Sequence, residues 1–121
     1  MVIEEEHMKY EKDIKTTSEE LSELVSQKIL SLKLGTEISI SEIVREYYAE
    51  QGYVFMDIGN GEGYGWSRDG GKTYVATDYD LFDVMEKTEK LIEGKRYLDF
   101  SKFENMAVGL PFNIPFVVKE V

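Results

Sequence analysis

Gly59, Gly61, Gly63 and Gly65 lead into Trp66-Ser67-Arg68-Asp69-Gly70-Gly71-Lys72-Thr73-Tyr74, and a glycine-rich run that contains Gly-Lys-Thr raises the chemistry of phosphate binding. A loop of the G-x-x-x-x-G-K-[ST] type wraps the anion in backbone amides while its lysine reaches the far oxygens. Its first glycine would have to stand at position 66, which is Trp66, and Gly65 is one place out of register. The flanks disagree too, because Thr73-Tyr74-Val75-Ala76-Thr77 is strand-like where a helix N-terminus should receive the anion. The dinucleotide pattern G-x-G-x-x-G meets Tyr64 when counted from Gly59 and Trp66 when counted from Gly61. A kinase-type glycine flap fails on the same Trp66 and lacks its Val-Ala-Ile-Lys and Asp-Phe-Gly companions.

Metal and nucleophile chemistry is equally short of parts. The chain has no cysteine and one histidine, His7, set beside Glu4, Glu5 and Glu6 in a charged N-terminal stretch. Thiolate sites and the usual nucleophile–base pairs are therefore missing, and no metal site is expected. Asp78, Asp80 and Asp83 spell D-x-D-x-x-D, but a calcium loop would want an acid or amide at 82 and glycine at 83, where Phe82 and Asp83 stand. Carboxylates gather at a helix N-terminus for its dipole and free amides, and that is the reading taken for these three. Asp57, Glu62 and Asp69 are the carboxylates that a hydrolase would have to bring together, and their spacing alone does not do so. No catalytic residue and no cofactor is assigned.

Ser67-Arg68-Asp69-Gly70-Gly71-Lys72-Thr73-Tyr74 instead resembles the Asp-box, the S-x-D-x-G-x-T-W turn found in sialidases and other β-proteins, with Tyr74 in place of the final tryptophan. The resemblance covers eight residues and implies a turn in which serine and aspartate side chains bond backbone amides and glycine takes a positive φ. It implies a hairpin, and no sialidase activity.

The elements that hold these residues read as follows. Thr17-Ser18-Glu19-Glu20 is a capping box, followed by Leu21, Leu24, Val25, Ile29 and Leu32 at helical spacing, with Gly35 closing the helix after Leu34. Glu37-Ile38-Ser39-Ile40-Ser41 reads as a short strand. Ser39 with Glu42, or Ser41 alone, caps a second helix with Ile43, Val44, Tyr47 and Tyr48 facing inward and Gly52 at its end. Tyr53 to Ile58, Tyr64 to Ser67 and Thr73 to Thr77 are expected to form a three-stranded meander. Asp78 or Asp80 caps a third helix whose inner face carries Leu81, Met85, Thr88, Leu91 and Ile92, and Gly94 stops it. The remainder runs extended past Pro111 and Pro115, with a helical turn near Ser101 to Met106 and a last strand from Phe116 to Val121. The expectation is a single α+β domain over residues 16–121: an antiparallel sheet, three-stranded meander plus C-terminal strand, packed on about three helices, preceded by a charged segment over 1–15.

Composition turns this frame toward binding. The 121 residues carry 24 acids and 14 bases, a formal charge of −10, which opposes direct contact with nucleic acid. No apolar run is long enough to span a membrane, and the acidic start is unlike a signal peptide, so a cytoplasmic chain without membrane contact is expected. Eight tyrosines and one tryptophan supply aromatic surface, the side-chain class enriched at interface centres. Tyr47, Tyr48, Glu62, Tyr64, Trp66 and Asp69 are the residues expected to contact a partner, Tyr64 and Trp66 as an outward patch on the glycine rim. The partner expected is a larger protein with a basic surface that handles nucleic acid. In bulk composition the chain resembles immunity proteins and phage-borne inhibitors of defence enzymes. A nucleotide- or sugar-binding domain with an aromatic-lined pocket and a carboxylate-dependent hydrolase are the alternatives. Gly109-Leu110-Pro111-Phe112-Asn113-Ile114-Pro115-Phe116-Val117-Val118 is apolar enough to be either core or the interface of a homodimer.

Overall fold

A computed structural model describes residues 14–121 except 60, 62, 76, 107 and 108; the expectation for the charged start falls almost wholly outside this range. Helix α1 is Ser18–Ser31 and opens on the predicted box, Thr17 accepting from the Glu20 amide while Glu20 accepts from the Thr17 amide. Leu21, Val25 and Ile29 form its fully buried stripe. The helix stops a turn earlier than the sequence suggests. Arg96 donates to the carbonyls of Ile29 and Leu32, at 2.7 and 2.5 Å, and so takes up acceptors that continued helix would have used. Gly35 has a different task from the expected cap: its amide donates to Val118 O at 2.8 Å and starts the pairing of the next strand.

That strand, β1, is Glu37–Ile38, and Ser39 then caps α2, Ile40–Glu50, by accepting from the Glu42 amide. After a turn at Gly52 come β2, Val54–Asp57, and β3, Tyr64–Ser67, paired antiparallel with Phe55 opposite Trp66 and Asp57 opposite Tyr64. Asp80 caps α3, Leu81–Ile92, and β4, Arg96–Asp99, follows directly. Short 3-10 turns at Ser101–Met106 and Pro111–Asn113 lead to β5, Phe116–Glu120.

Among the described residues the class is α+β with antiparallel sheets and three helices, as the sequence implies. The arrangement of strands differs. One sheet has the order β1-β5-β4, and β2-β3 is a separate two-stranded hairpin, so the C-terminal strand joins β1 and β4 rather than a meander. The run from Thr73 forms no third strand among its described residues. Lys72 and Thr73 direct their amides at Asp69, and Val75 N donates to Trp66 O at 2.9 Å in the manner of a sheet bond. The strand Arg96–Asp99 was not anticipated; its partner lies beyond two 3-10 turns.

α1 packs chiefly on α3, whose inner face is Val84, Thr88 and Ile92, four residues apart. Leu91, expected to be inside, is 48% exposed. Phe116 and Val118 alternate into the core from β5 while Leu110 is exposed, so part of the apolar C-terminal stretch is core. Thr88 Oγ1 is buried without a hydrogen-bond partner. Replacing a buried, unpaired hydroxyl by an isosteric methyl removes a desolvation cost. Thr88→Val is therefore expected to raise stability by about 1 kcal/mol, read from the urea midpoint at unchanged slope; a loss of stability would contradict the packing described here.

Candidate functional site

Ser67 and Asp69 sit where β3 ends, and their side chains build the turn that the Asp-box resemblance implies. Ser67 Oγ donates to Asp69 Oδ1 at 2.8 Å and accepts from the Gly71 amide at 3.1 Å. Asp69 Oδ1 accepts from the amides of Lys72 and Thr73 at 3.0 and 2.9 Å, and Oδ2 accepts from Thr73 Oγ1 at 2.6 Å. The glycine-rich loop thus does hold an anion, and the anion is its own aspartate. Amides that would have faced a phosphate are already occupied. At the other rim, Gly59 donates its amide to Asp57 Oδ1 at 2.8 Å, again placing a carboxylate where a phosphate would have to come.

Tyr74 then folds back across the hairpin. A side chain at Gly65 would meet Tyr74 Cδ1 at 2.9 Å, so the close approach of ring to backbone requires glycine there. Tyr74 Oη donates to Asp57 O at 3.3 Å and ties the turn to β2. Turn and hairpin form one brace.

Hydrogen bonds from Thr73 hold the Asp69 carboxyl well below the usual aspartate range, with Ser67 and Lys72 adding to the effect. The folded value lies below the unfolded one, so this stabilisation is complete above the ordinary aspartate value near 4. It fades as pH falls from there through the folded value. Asp69→Asn is expected to melt lower than wild type at pH 7, with the gap closing as the pH is taken down through that window. Melting curves recorded across the acid range check this, and a gap independent of pH would contradict it.

On the opposite face of the hairpin an aromatic series runs from core to solvent. Tyr48 and Trp66 are stacked, ring centroids 4.7 Å apart at 11°. Trp66 meets Phe55 at 4.8 Å, and Phe55 stacks on Tyr64 at 5.4 Å and 19°. Tyr48 is fully buried and Trp66 is 5% exposed, while Phe55 and Tyr64 are 51% and 64% exposed. Trp66 Nε1 donates to Tyr79 Oη at 3.3 Å. Burial pushes the Tyr48 hydroxyl well above the ordinary tyrosine value, with the neighbouring tyrosines adding to it, so it remains a donor.

Of the residues expected at a partner surface, Tyr64 is where the sequence places it. Trp66 is not outward: opposite Phe55 it faces the buried Tyr48 and serves as the floor of the patch. Tyr48 belongs to that floor as well. Tyr47 Oη accepts from the Lys15 amide at 2.8 Å and Tyr48 Oη donates to the Lys15 carbonyl at 2.7 Å, so the pair grips the backbone entering α1. Asp69 lies in the turn and is exposed there, and Glu62 falls outside the described residues. Phe55, together with Val54 at 59% exposure, was missed. Its signal is the hairpin register, which places 55 opposite 66 once the turn is centred on residues 59–62.

Between the hairpin and α2 the Tyr48 and Trp66 rings are in direct stacking contact. Among the described residues no group of three or more acids and histidine is placed to hold a metal ion. No described helix is long and apolar enough to cross a membrane. Comparison with protein-family models, with curated proteins and with solved structures returns no match.

Proposed function

We propose that the protein is a non-enzymatic, acidic, cytoplasmic binding module that covers a basic, nucleic-acid-handling surface of a larger protein, in the manner of an inhibitor or immunity protein. The observation that carries this reading is the exposed Phe55–Tyr64 stack, braced from below by Trp66 and Tyr48 in a chain of charge −10. Exposed aromatics on a rigid frame bind with little loss of side-chain entropy, and aromatic residues dominate interface hot spots. The surrounding charge speeds encounter with a basic partner and disfavours acidic ones. The amides of Gly59, Gly71, Lys72 and Thr73, each occupied by a side chain of the hairpin itself, speak against the nucleotide-binding alternative. Asp69, held as a turn acceptor, is poorly suited to act as a general base.

The test is capture at low salt on the immobilised full chain, followed by kinetics with the captured protein. A basic protein should be retained in about one-to-one ratio. Its association rate should fall several-fold as salt rises toward the physiological range while dissociation changes little. Absence of any stoichiometric partner, or association indifferent to salt, would overturn the reading.

A further inference from the structure

β2 is an edge strand, and its outer side carries hydrogen-bonding groups that the described residues leave unused. Ile58 N donates to Gly63 O at 2.8 Å, so residues 58 and 63 form a bonded pair of the ladder. Bonded and unbonded pairs alternate in an antiparallel ladder. With Asp57 opposite Tyr64 and Phe55 opposite Trp66, both pairs are of the unbonded kind, and the amide groups of Phe55 and Asp57 point away from β3. At the start of the strand, Tyr53 N turns back to Tyr48 O, and at its end Asp57 O takes the Tyr74 hydroxyl. Three groups remain in a row on the open side: Phe55 N–H, Phe55 C=O and Asp57 N–H.

Proteins ordinarily blunt such an edge with lysine, proline or a bulge. Val54-Phe55-Met56-Asp57 is short and carries one charge, Asp57, but it has no lysine, proline or bulge, and it exposes Val54 and Phe55. From Glu46 to Ser67 the sequence holds four acids, Glu46, Glu50, Asp57 and Glu62, and no lysine or arginine, while Arg68 just beyond lies over the Tyr53 ring. A second copy brought edge to edge would add net negative charge to net negative charge. An extended segment carrying lysine or arginine would find complementary charge.

We infer that β2 is a strand-addition site: an extended, basic segment of the partner pairs with Phe55 and Asp57 through its backbone and lays its side chains on Phe55 and Tyr64. This rests on the protein-binding reading above and specifies its mode. Main-chain bonds supply affinity in this kind of recognition, and alternate side chains supply selectivity.

Random linear peptides displayed on phage and selected on the full chain test it. Selected sequences should combine lysine or arginine with alternating β-branched or aromatic residues. N-methylation of a selected peptide at alternate positions should weaken binding about tenfold or more, and at the intervening positions far less. Hydrogen exchange at Phe55 and Asp57 should slow in the complex while Met56, bonded within the hairpin, does not change. A flat N-methyl scan, with Tyr64→Ala still weakening the peptide, would overturn strand addition and leave the protein-binding reading standing. Indifference to both changes would overturn both. Failure to select any peptide, or selection of peptides without basic excess, counts against the inference. A concentration-dependent dimer that slows the same amides without peptide assigns the edge to a second copy and overturns it.

Discussion

Trp66→Ala is expected to cost about 3–5 kcal/mol of folding stability, the usual range for truncating a large buried aromatic. Trp66 is 5% exposed, lies against Tyr48 on one side and Phe55 on the other, and donates to Tyr79. Alanine would empty the space between helix α2 and the hairpin and leave the Tyr79 hydroxyl, half-buried, without its donor. Since domains of this size are stable by only about 5–15 kcal/mol, the variant should sit close to unfolding at room temperature. Urea denaturation followed by far-ultraviolet circular dichroism checks it; a midpoint within about 1 kcal/mol of wild type would contradict the placement of this ring as the floor of the patch. The chain has one tryptophan, so its fluorescence in the wild type reports the same site, and a buried, blue-shifted emission is expected.

Phe55→Ala combined with Tyr64→Ala should behave in the opposite way. Both rings are more than half exposed, so the pair of changes is expected to lower stability by no more than about 1 kcal/mol. Partner affinity should fall by at least about 2 kcal/mol, roughly thirtyfold, the scale of an interface hot spot. Isothermal titration with the captured partner, beside a melting curve of the variant alone, separates the two effects. A variant that binds as wild type would remove the exposed stack from the interface. A variant that fails to fold would show the stack to be core, against the exposure found here.

Local features were the legible ones. The capping box of α1, the Ser39 and Asp80 caps and the Ser67–Asp69 turn each depend on residues within four positions of one another, and each is found as read. Contacts between distant elements were not legible. Whether Trp66 faces solvent or core depends on Tyr48, which lies across a turn and two strands' worth of chain, and nothing in a period-two pattern distinguishes the two faces when both carry aromatics. Thr73 to Thr77 has the composition of a strand, but the Asp69 carboxylate competes for its first amides and Tyr74 is drawn across Gly65, so the ladder does not propagate. The early end of α1 needed knowledge of Arg96, 64 residues beyond Leu32, whose guanidinium takes the last carbonyls. Of the six residues proposed from sequence, Tyr48 and Trp66 are buried, Tyr64 and Asp69 are exposed and Tyr47 is half-buried, and exposed Phe55 stands beside Tyr64.

Among the exposed apolar regions of the described residues, two on different elements stand out as rivals for the role of working surface. One is the hairpin face with Phe55 and Tyr64. The other is an apolar cleft of about 230 Å³ lined by Met85, Phe100, Phe103, Pro111 and Ile114, with Phe82 and Leu110 exposed on α3 and beside the second 3-10 turn. Hydroxyl-radical footprinting of the captured complex decides between them most directly. Oxidation of Phe55 and Tyr64 should drop on complex formation while Phe82 and Leu110 keep their reactivity. Protection confined to Phe82 and Leu110, with Phe55 and Tyr64 as reactive as in the free protein, would contradict the account.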